Sequence, residues 1–201
     1  MTANIACLHI ALAGTRPSIW RQVEVPLAIS LTDLHDFIQA VMPWDDCHLF
    51  RFEIGDKTYG IPDPELDFDS DLFDAGKVTL AGLAAEGVEE FTYTYDFGDD
   101  WRHQITIEAL AFAEPKMKYP RFLKGENRAP PDDIGGIPGF YEFLETITTG
   151  SASAKQELLD WHGGPFDPAA IDLDEIDARL ADYAKPLPAG NAAAPKRKSK
   201  G

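Results

Sequence analysis

"YTYDFGDDWRHQITI", residues Tyr93 to Ile107, sets three aspartates, an arginine and a histidine between two runs of aromatic and β-branched residues. Alternation on both sides of an acidic, glycine-containing stretch predicts two strands joined by a turn. With Gly98, Asp99 and Asp100 as a three-residue loop, Phe97 faces Trp101. Counting outward then pairs Asp96 with Arg102, Tyr95 with His103, Tyr93 with Ile105 and Phe91 with Ile107. Three-residue loops favour glycine in their last, left-handed position, whereas Gly98 comes first, so an aspartate must take that seat. The expected hairpin has an aromatic face that includes His103 and a polar face with an Asp96–Arg102 ion pair. Structural ion pairs mimic functional clusters, so a plain hairpin is the first reading and a ligand or partner surface at Asp99, Asp100, Trp101 and His103 the second.

Upstream, "IACLHIAL" and "SIWRQVEV" are β-rich runs around the turn residues "AGTRP", which predicts an opening strand pair. The period then changes. Leu31, Leu34, Phe37, Ile38 and Val41 fall on one helical face, Ser30 and Asp33 have capping-box spacing, and Pro43 stops the helix. On that reading His35 and Asp36 point away from the apolar face. "HLFRFEIGDKTYG" predicts a strand, a turn and a return strand, followed by a long acidic loop, "IPDPELDFDSDLFD".

Downstream, "EPKMKYPRFLKGENRAPPDDIGGIPG" reads as a long irregular connection, because proline and glycine punctuate it throughout. From about residue 139 the chain reads as helical: "GFYEFLETI", then "SAKQELLDWHGG" with Ser153 and Gln156 as a capping box, then "DLDEIDARLADYA" with Asp172 as N-cap. The expectation is therefore a single α+β domain over residues 1–184. It has a mixed or antiparallel sheet, one helix after the first strand pair, and a C-terminal helical segment. Residues 185–201 bury nothing and read as a disordered tail.

Composition narrows the function classes. The 201 residues carry 34 acids against 18 bases, a formal net charge of −16, and Lys196, Arg197, Lys198 and Lys200 hold four of those bases. Such a body repels nucleic-acid phosphate and suits a basic protein partner, so direct nucleic-acid binding is not expected. No segment approaches the roughly 20 apolar residues of a membrane span, and no basic-then-apolar leader opens the chain, which predicts a cytoplasmic protein with no membrane contact. Cys7 and Cys47 make no disulfide framework and no paired metal spacing.

Five segments, "IWRQVEVP", "DLHDFIQAVMPWDDCHLFRFEIGDKTYG", "YDFGDDWRHQITIE", "YPRFLKGENRAPPDDIGGIPGFYEFLE" and "ELLDWHGGPFDP", in this order resemble the plasmid pRiA Orf-three-like family over residues 4 to 183. The resemblance implies a compact α+β domain and carries no established activity, although many members bear a TnpR-like, transposon-resolvase passenger label. Pro43, Cys47 and Phe50 depart from the family pattern, so a second histidine two residues after His48 is missing. Ala129 and Ile134 stand where many members have cysteines, and any metal or redox role of those cysteines does not carry over.

Resolvase chemistry needs a nucleophilic serine supported by arginines and a basic DNA-binding module, and this chain has neither. A metal-dependent hydrolase or nuclease is the better enzyme reading, with Asp45, Asp46, His48, Asp96, Asp99, Asp100 and His103 as oxygen and nitrogen donors if their loops meet. Asp67, Asp69 and Asp71 copy the first ligand positions of a calcium loop. Leu72 and Val78 then occupy the positions that need glycine and a bidentate glutamate, so no tight calcium site is expected. Trp44, Trp101 and Tyr141 read as core before they read as an aromatic patch, and Trp20 and Trp161 as packing residues. The leading expectation is a non-catalytic binding or adaptor module with no catalytic residue, cofactor or resident metal. Its candidate surface is Trp44, Asp45, Asp46, His48, Asp96, Asp99, Asp100, Trp101, Arg102, His103, Asp132 and Asp133.

Overall fold

The computed structural model describes residues 3–62, 72–181, 183 and 185–186. The opening pair forms as β1 (Ile5–Leu12) and β2 (Ile19–Pro26), followed by helix α1 (Leu31–Val41). Next come β3 (Phe50–Ile54), β4 (Lys57–Gly60), β5 (Leu72–Asp74), the short helix α2 (Leu80–Ala85), β6 (Glu90–Tyr95) and β7 (Trp101–Ala111). The chain continues through β8 (Lys118–Tyr119), β9 (Arg121–Glu126), α3 (Gly136–Thr149), α4 (Ala152–His162), α5 (Leu173–Leu180) and β10 (Lys185–Pro186). One sheet has the order β5-β4-β3-β6-β7-β1-β2-β9, parallel only between β4 and β5, and β8 pairs with β10 separately. The fold is thus α+β as expected. No helix among the described residues is long and apolar enough to cross a membrane.

Strand alternation gives this sheet one dry face. Tyr59, Phe52, Tyr93, His103, Leu12 and Ile19 stand opposite one another in turn across β4, β3, β6, β7, β1 and β2, and all are buried. Their neighbours along each strand point the other way. Helix α1 covers that face with Leu31, Leu34, Phe37, Ile38 and Val41, all fully buried. Removing each of these side chains from water contributes about 1.5–3 kcal/mol, which holds in place a short helix that would be marginal alone. Ser30 caps it by accepting from the Asp33 amide.

The hairpin register differs from the sequence expectation by two residues. Tyr95 faces Trp101, Thr94 faces Arg102, Tyr93 faces His103 and Phe91 faces Ile105, so the loop holds five residues, Asp96 to Asp100. Aspartates at both ends of the loop adopt positive φ, Asp96 at 52° and Asp100 at 57°. The Asp96 side chain accepts from the Gly98 amide, and its carbonyl accepts from the Asp100 amide. Arg102 consequently pairs with Asp100 at 2.8 Å and not with Asp96. An even shift keeps every side chain on its expected face, which is why His103 is still inward.

Five other expectations are corrected. Arg121–Glu126, read as irregular, is a strand on the β2 edge, and Gly125 is needed there because a Cβ would sit 2.5 Å from the Trp20 carbonyl oxygen. Helix α3 begins at Gly136, before the expected 139, and α4 is capped by Ser151 accepting from Ala154, not by Ser153. His35 is buried, since it lies four residues after Leu31 and three before Ile38, on the stripe that faces the sheet. Lys185 and Pro186, assigned to a disordered tail, pair with Tyr119 and Lys118. The rest of that tail, most of the acidic loop and the calcium-like trio Asp67, Asp69 and Asp71 lie outside the described residues.

Arg21 is a buried ion of the fold. Burial lowers its pKa to about 10, which leaves it charged at neutral pH. Its Nε donates to the Val41 carbonyl at the C-terminus of α1, and one terminal nitrogen donates to the carbonyls of Trp20, Glu126 and Asn127. The guanidinium thus satisfies the negative end of the helix and clamps β9 onto β2. Replacing it removes this donor from all four carbonyls. Arg21→Met is expected to lower unfolding free energy in urea by about 3 kcal/mol, and a change within about 0.5 kcal/mol would show the clamp to be dispensable.

Candidate functional site

Three acidic segments meet at one end of the sheet. They are the α1–β3 connection "WDDCH", the β6–β7 loop "DFGDD" and the "PPDDIGG" stretch before α3. Trp44, only 2% exposed, organises the meeting. Its ring stacks on Tyr95 and Trp101 with centroids 5.2 and 5.9 Å away, its edge meets His103, and its indole N–H donates to the Pro130 carbonyl at 2.9 Å. Arg179 of α5 donates to the Trp44 carbonyl and to Asp45 Oδ1, which fixes the loop from the other side.

The remaining joints are polar. Asp99 Oδ2 accepts from the Gly135 amide at 3.0 Å, and Gly136, with φ 67°, lies so close to the Asp99 carbonyl that a Cβ would sit 2.5 Å from its oxygen. Tyr95 donates its hydroxyl to Asp132 Oδ2 and accepts from the Cys47 amide. His48 Nε2 lies 2.9 Å from Asp133 Oδ1 and 3.6 Å from Asp96 Oδ2. Burial opposes the imidazolium of His48, but the hydrogen bond to Asp133 and the charges of Asp96, Asp133 and Asp132 outweigh it and raise its pKa. The Cys47 thiol is pushed up by desolvation and by Asp132 and Asp133, against its hydrogen bond with Tyr95.

Beside this junction lies a closed polar ring. Gln39 donates to the Tyr93 hydroxyl, which lies 2.7 Å from His35 Nδ1, and His35 Nε2 lies 2.7 Å from Asp46 Oδ1. Asp46 returns its amide to Gln39 Oε1. This order assigns the His35 proton to Nε2. Burial lowers the His35 pKa in spite of the Asp46 charge, so the ring is a neutral one packed flat on Phe50, with centroids 3.7 Å apart.

Of the twelve sequence candidates, Asp45, Asp46, Asp100, Arg102 and Asp133 are exposed at the junction or its edge, while Asp99, Asp132 and His48 are half-buried and Asp96 is buried. Trp44, Trp101 and His103 are not surface at all: they form the aromatic core beneath the loops. Tyr141, exposed, donates its hydroxyl to backbone oxygen near Arg16 and stays outside the junction, and Trp161, expected to pack, is half exposed. Cys47, Tyr95 and His35 were missed. Tyr95 alternates onto the apolar face and reads as plain core, and nothing in sequence reveals that its hydroxyl reaches Asp132. Two hollows flank the junction. A cleft of about 750 Å³ is lined by His35, Asp46, His48, Leu49, Ile61 and Phe97, and a pocket of about 450 Å³ includes Arg21, Arg128, Asp132, His162, Phe166 and Arg179.

A family model described as plasmid pRiA4b ORF-3-like protein matches residues 4–175 of the chain. The uncharacterized protein y4hQ of Sinorhizobium fredii is 34% identical over 186 residues, which is 92% of this chain and 94% of that protein. The crystal structure of MM3350, a protein of unknown function from Methanosarcina mazei Go1, superposes with a TM-score of 0.77 at 31% identity, covering 87% of this chain and 97% of that one.

His103 supplies a stability test of the core beneath the junction. Complete burial lowers its pKa to about 4, with Arg21 adding to the effect and the Trp101 and Tyr93 carbonyls opposing it. The unfolded chain takes up a proton near pH 6.5, whereas the native one does so only near 4, so stability is lost as pH falls through that window. The loss is about 3 kcal/mol between the two values. Urea unfolding across this range should therefore be flatter in His103→Gln by about that amount; parallel pH curves for the two proteins would contradict the assignment.

Proposed function

The chain belongs to the plasmid pRiA4b ORF-3-like family, and we propose that it acts as a non-catalytic binding module whose acidic loop junction receives a basic protein partner. The single observation that carries this reading is the convergence of the three acidic segments beside an exposed apolar cleft. Leu49, Ile61 and Phe97 are 63%, 59% and 49% exposed there, next to Asp46 and His48. Exposed aliphatic and aromatic side chains bordered by carboxylates suit a lysine or arginine, whose stem lies on the apolar part while its head reaches the acids. Such a face also speeds encounter with a cationic surface, and salt screens it over a Debye length of about 8 Å.

The module works in the cytoplasm, where its two free thiols, Cys7 and Cys47, suit a reducing compartment. The hydrolase alternative loses one of its intended donors, because His103 is enclosed by Trp44, Tyr93 and the Trp101 carbonyl and cannot turn toward the loops.

Immobilised full-length protein, challenged with lysate at low and high salt, tests the proposal. The wild type should retain a partner rich in lysine and arginine at low salt, and the pair Asp45→Asn with Asp46→Asn should weaken that retention about tenfold. Leu49→Ala with Phe97→Ala should weaken it at both salt concentrations. Retention indifferent to salt and to both pairs would overturn the binding surface, and turnover of a phosphoester by the purified chain would overturn its non-catalytic character.

A further inference from the structure

The geometry points to a transition-metal site of the zinc type at Cys47, His48 and Asp133, completed by Asp96 or Asp132, that joins the three loops around one ion. The donor atoms of Cys47, His48 and Asp133 all lie within 4.8 Å of one another. Tetrahedral zinc, with bonds of about 2.0–2.3 Å, needs its donors roughly 3.2–3.8 Å apart. His48 Nε2 is already 2.9 Å from Asp133 Oδ1 and 3.6 Å from Asp96 Oδ2, and Cys47 Sγ is 3.6 Å from Asp132 Oδ2. Side-chain adjustments of about an ångström close the set.

Two observations beyond proximity ask for a cation here. Asp132 Oδ1 is buried with no hydrogen-bond donor among the described residues, although its other oxygen is held by Tyr95. Asp96 is buried as well, and among the described residues its Oδ2 has only the His48 ring at 3.6 Å. Three carboxylates thus surround one imidazole, whereas Asp45 and Asp100 have arginine partners, Arg179 and Arg102, Asp99 accepts from the Gly135 amide and Asp46 meets His35. Buried carboxylate oxygen without a counter-charge or donor is costly, and a divalent ion removes that cost.

The donor set also selects the ion. Thiolate, imidazole and carboxylate together suit zinc or cobalt, whereas calcium and magnesium prefer oxygen alone. Ion uptake displaces any proton on His48 and the thiol proton of Cys47, both of which go to the buffer. The second cluster, His35, Asp36 and Asp46, is a weaker candidate despite equal proximity. Both nitrogens of His35 are engaged, one at Tyr93 and one at Asp46, and an ion would have to break the closed ring. The metal site stands independently of the partner reading, since it asks nothing of Leu49, Ile61 or Phe97.

Full-length protein stripped with chelator and titrated with Co²⁺ tests the site. The expected result is one equivalent bound, with tetrahedral ligand-field bands, a thiolate-to-cobalt charge-transfer band, and loss of both on adding Zn²⁺. Cys47→Ser should abolish the charge-transfer band, Cys7→Ser should leave it intact, and His48→Gln or Asp133→Asn should weaken binding by tenfold or more. Cys47 is exposed, so its serine variant keeps the fold, and an unchanged melting transition verifies this. Absence of binding, octahedral spectra without the charge-transfer band, or equal loss in Cys7→Ser would overturn the proposal.

Discussion

The indole of Trp44 is the contact on which the functional end of this protein depends. It is sandwiched against Tyr95 and Trp101, and its single N–H goes to the carbonyl of Pro130. One side chain therefore fixes the distance between the α1–β3 connection, the β6–β7 strands and the loop before α3. Aromatic stacking supplies area and the hydrogen bond supplies direction. The polar joints from Gly135 to Asp99, Tyr95 to Asp132 and His48 to Asp133 then hold three mutually repelling acidic loops around the indole.

Repulsion at the junction is managed unevenly. Arg179 and Arg102 each take one aspartate at the edge, and the Gly135 amide takes Asp99, so these acids serve as joints. Asp96, Asp132 and Asp133 are left around His48. The edge aspartates are exposed enough for their pairs to contribute little to stability, and so is Asp133, whereas Asp96 is buried and Asp132 half-buried, where the dielectric is lower and charge matters more. This division separates a scaffold of satisfied acids from a smaller set whose charge is still available to a cation. A basic side chain arriving at the cleft and a metal held between the loops would draw on different members of the cluster.

Much of the fold was legible from periodicity. The face of α1, the opening strand pair and the inward side of the hairpin followed from apolar spacing, because burial is what that spacing records. Loop length was not legible. The hairpin reading put an aspartate in the left-handed seat that ends the loop, which Asp100 takes, but it did not foresee a second left-handed residue at Asp96, whose side chain and carbonyl bond within the loop and lengthen it to five residues. Strand β9 was hidden for a related reason: Gly125 looks like a loop residue but permits close approach to Trp20. For the site, the acidic motifs stood out, but their convergence is long-range and depends on an indole N–H and a tyrosine hydroxyl whose partners no local pattern announces. Trp44, Trp101 and His103 entered the candidate surface because of their acidic neighbours, although alternation placed Trp101 and His103 on the aromatic face and a tryptophan such as Trp44 reads as core first.

Through Trp44 the three acidic loops are joined into one unit. Native-state hydrogen exchange of Trp44→Phe against the wild type tests this most directly, since phenylalanine keeps an aromatic ring and removes the bond to Pro130. Amides of residues 45–49, 96–100 and 131–136 should gain exchange together, while β1, β2 and the middle of β7 remain protected. Faster exchange confined to residues 45–49, with the other two loops unchanged, would contradict it.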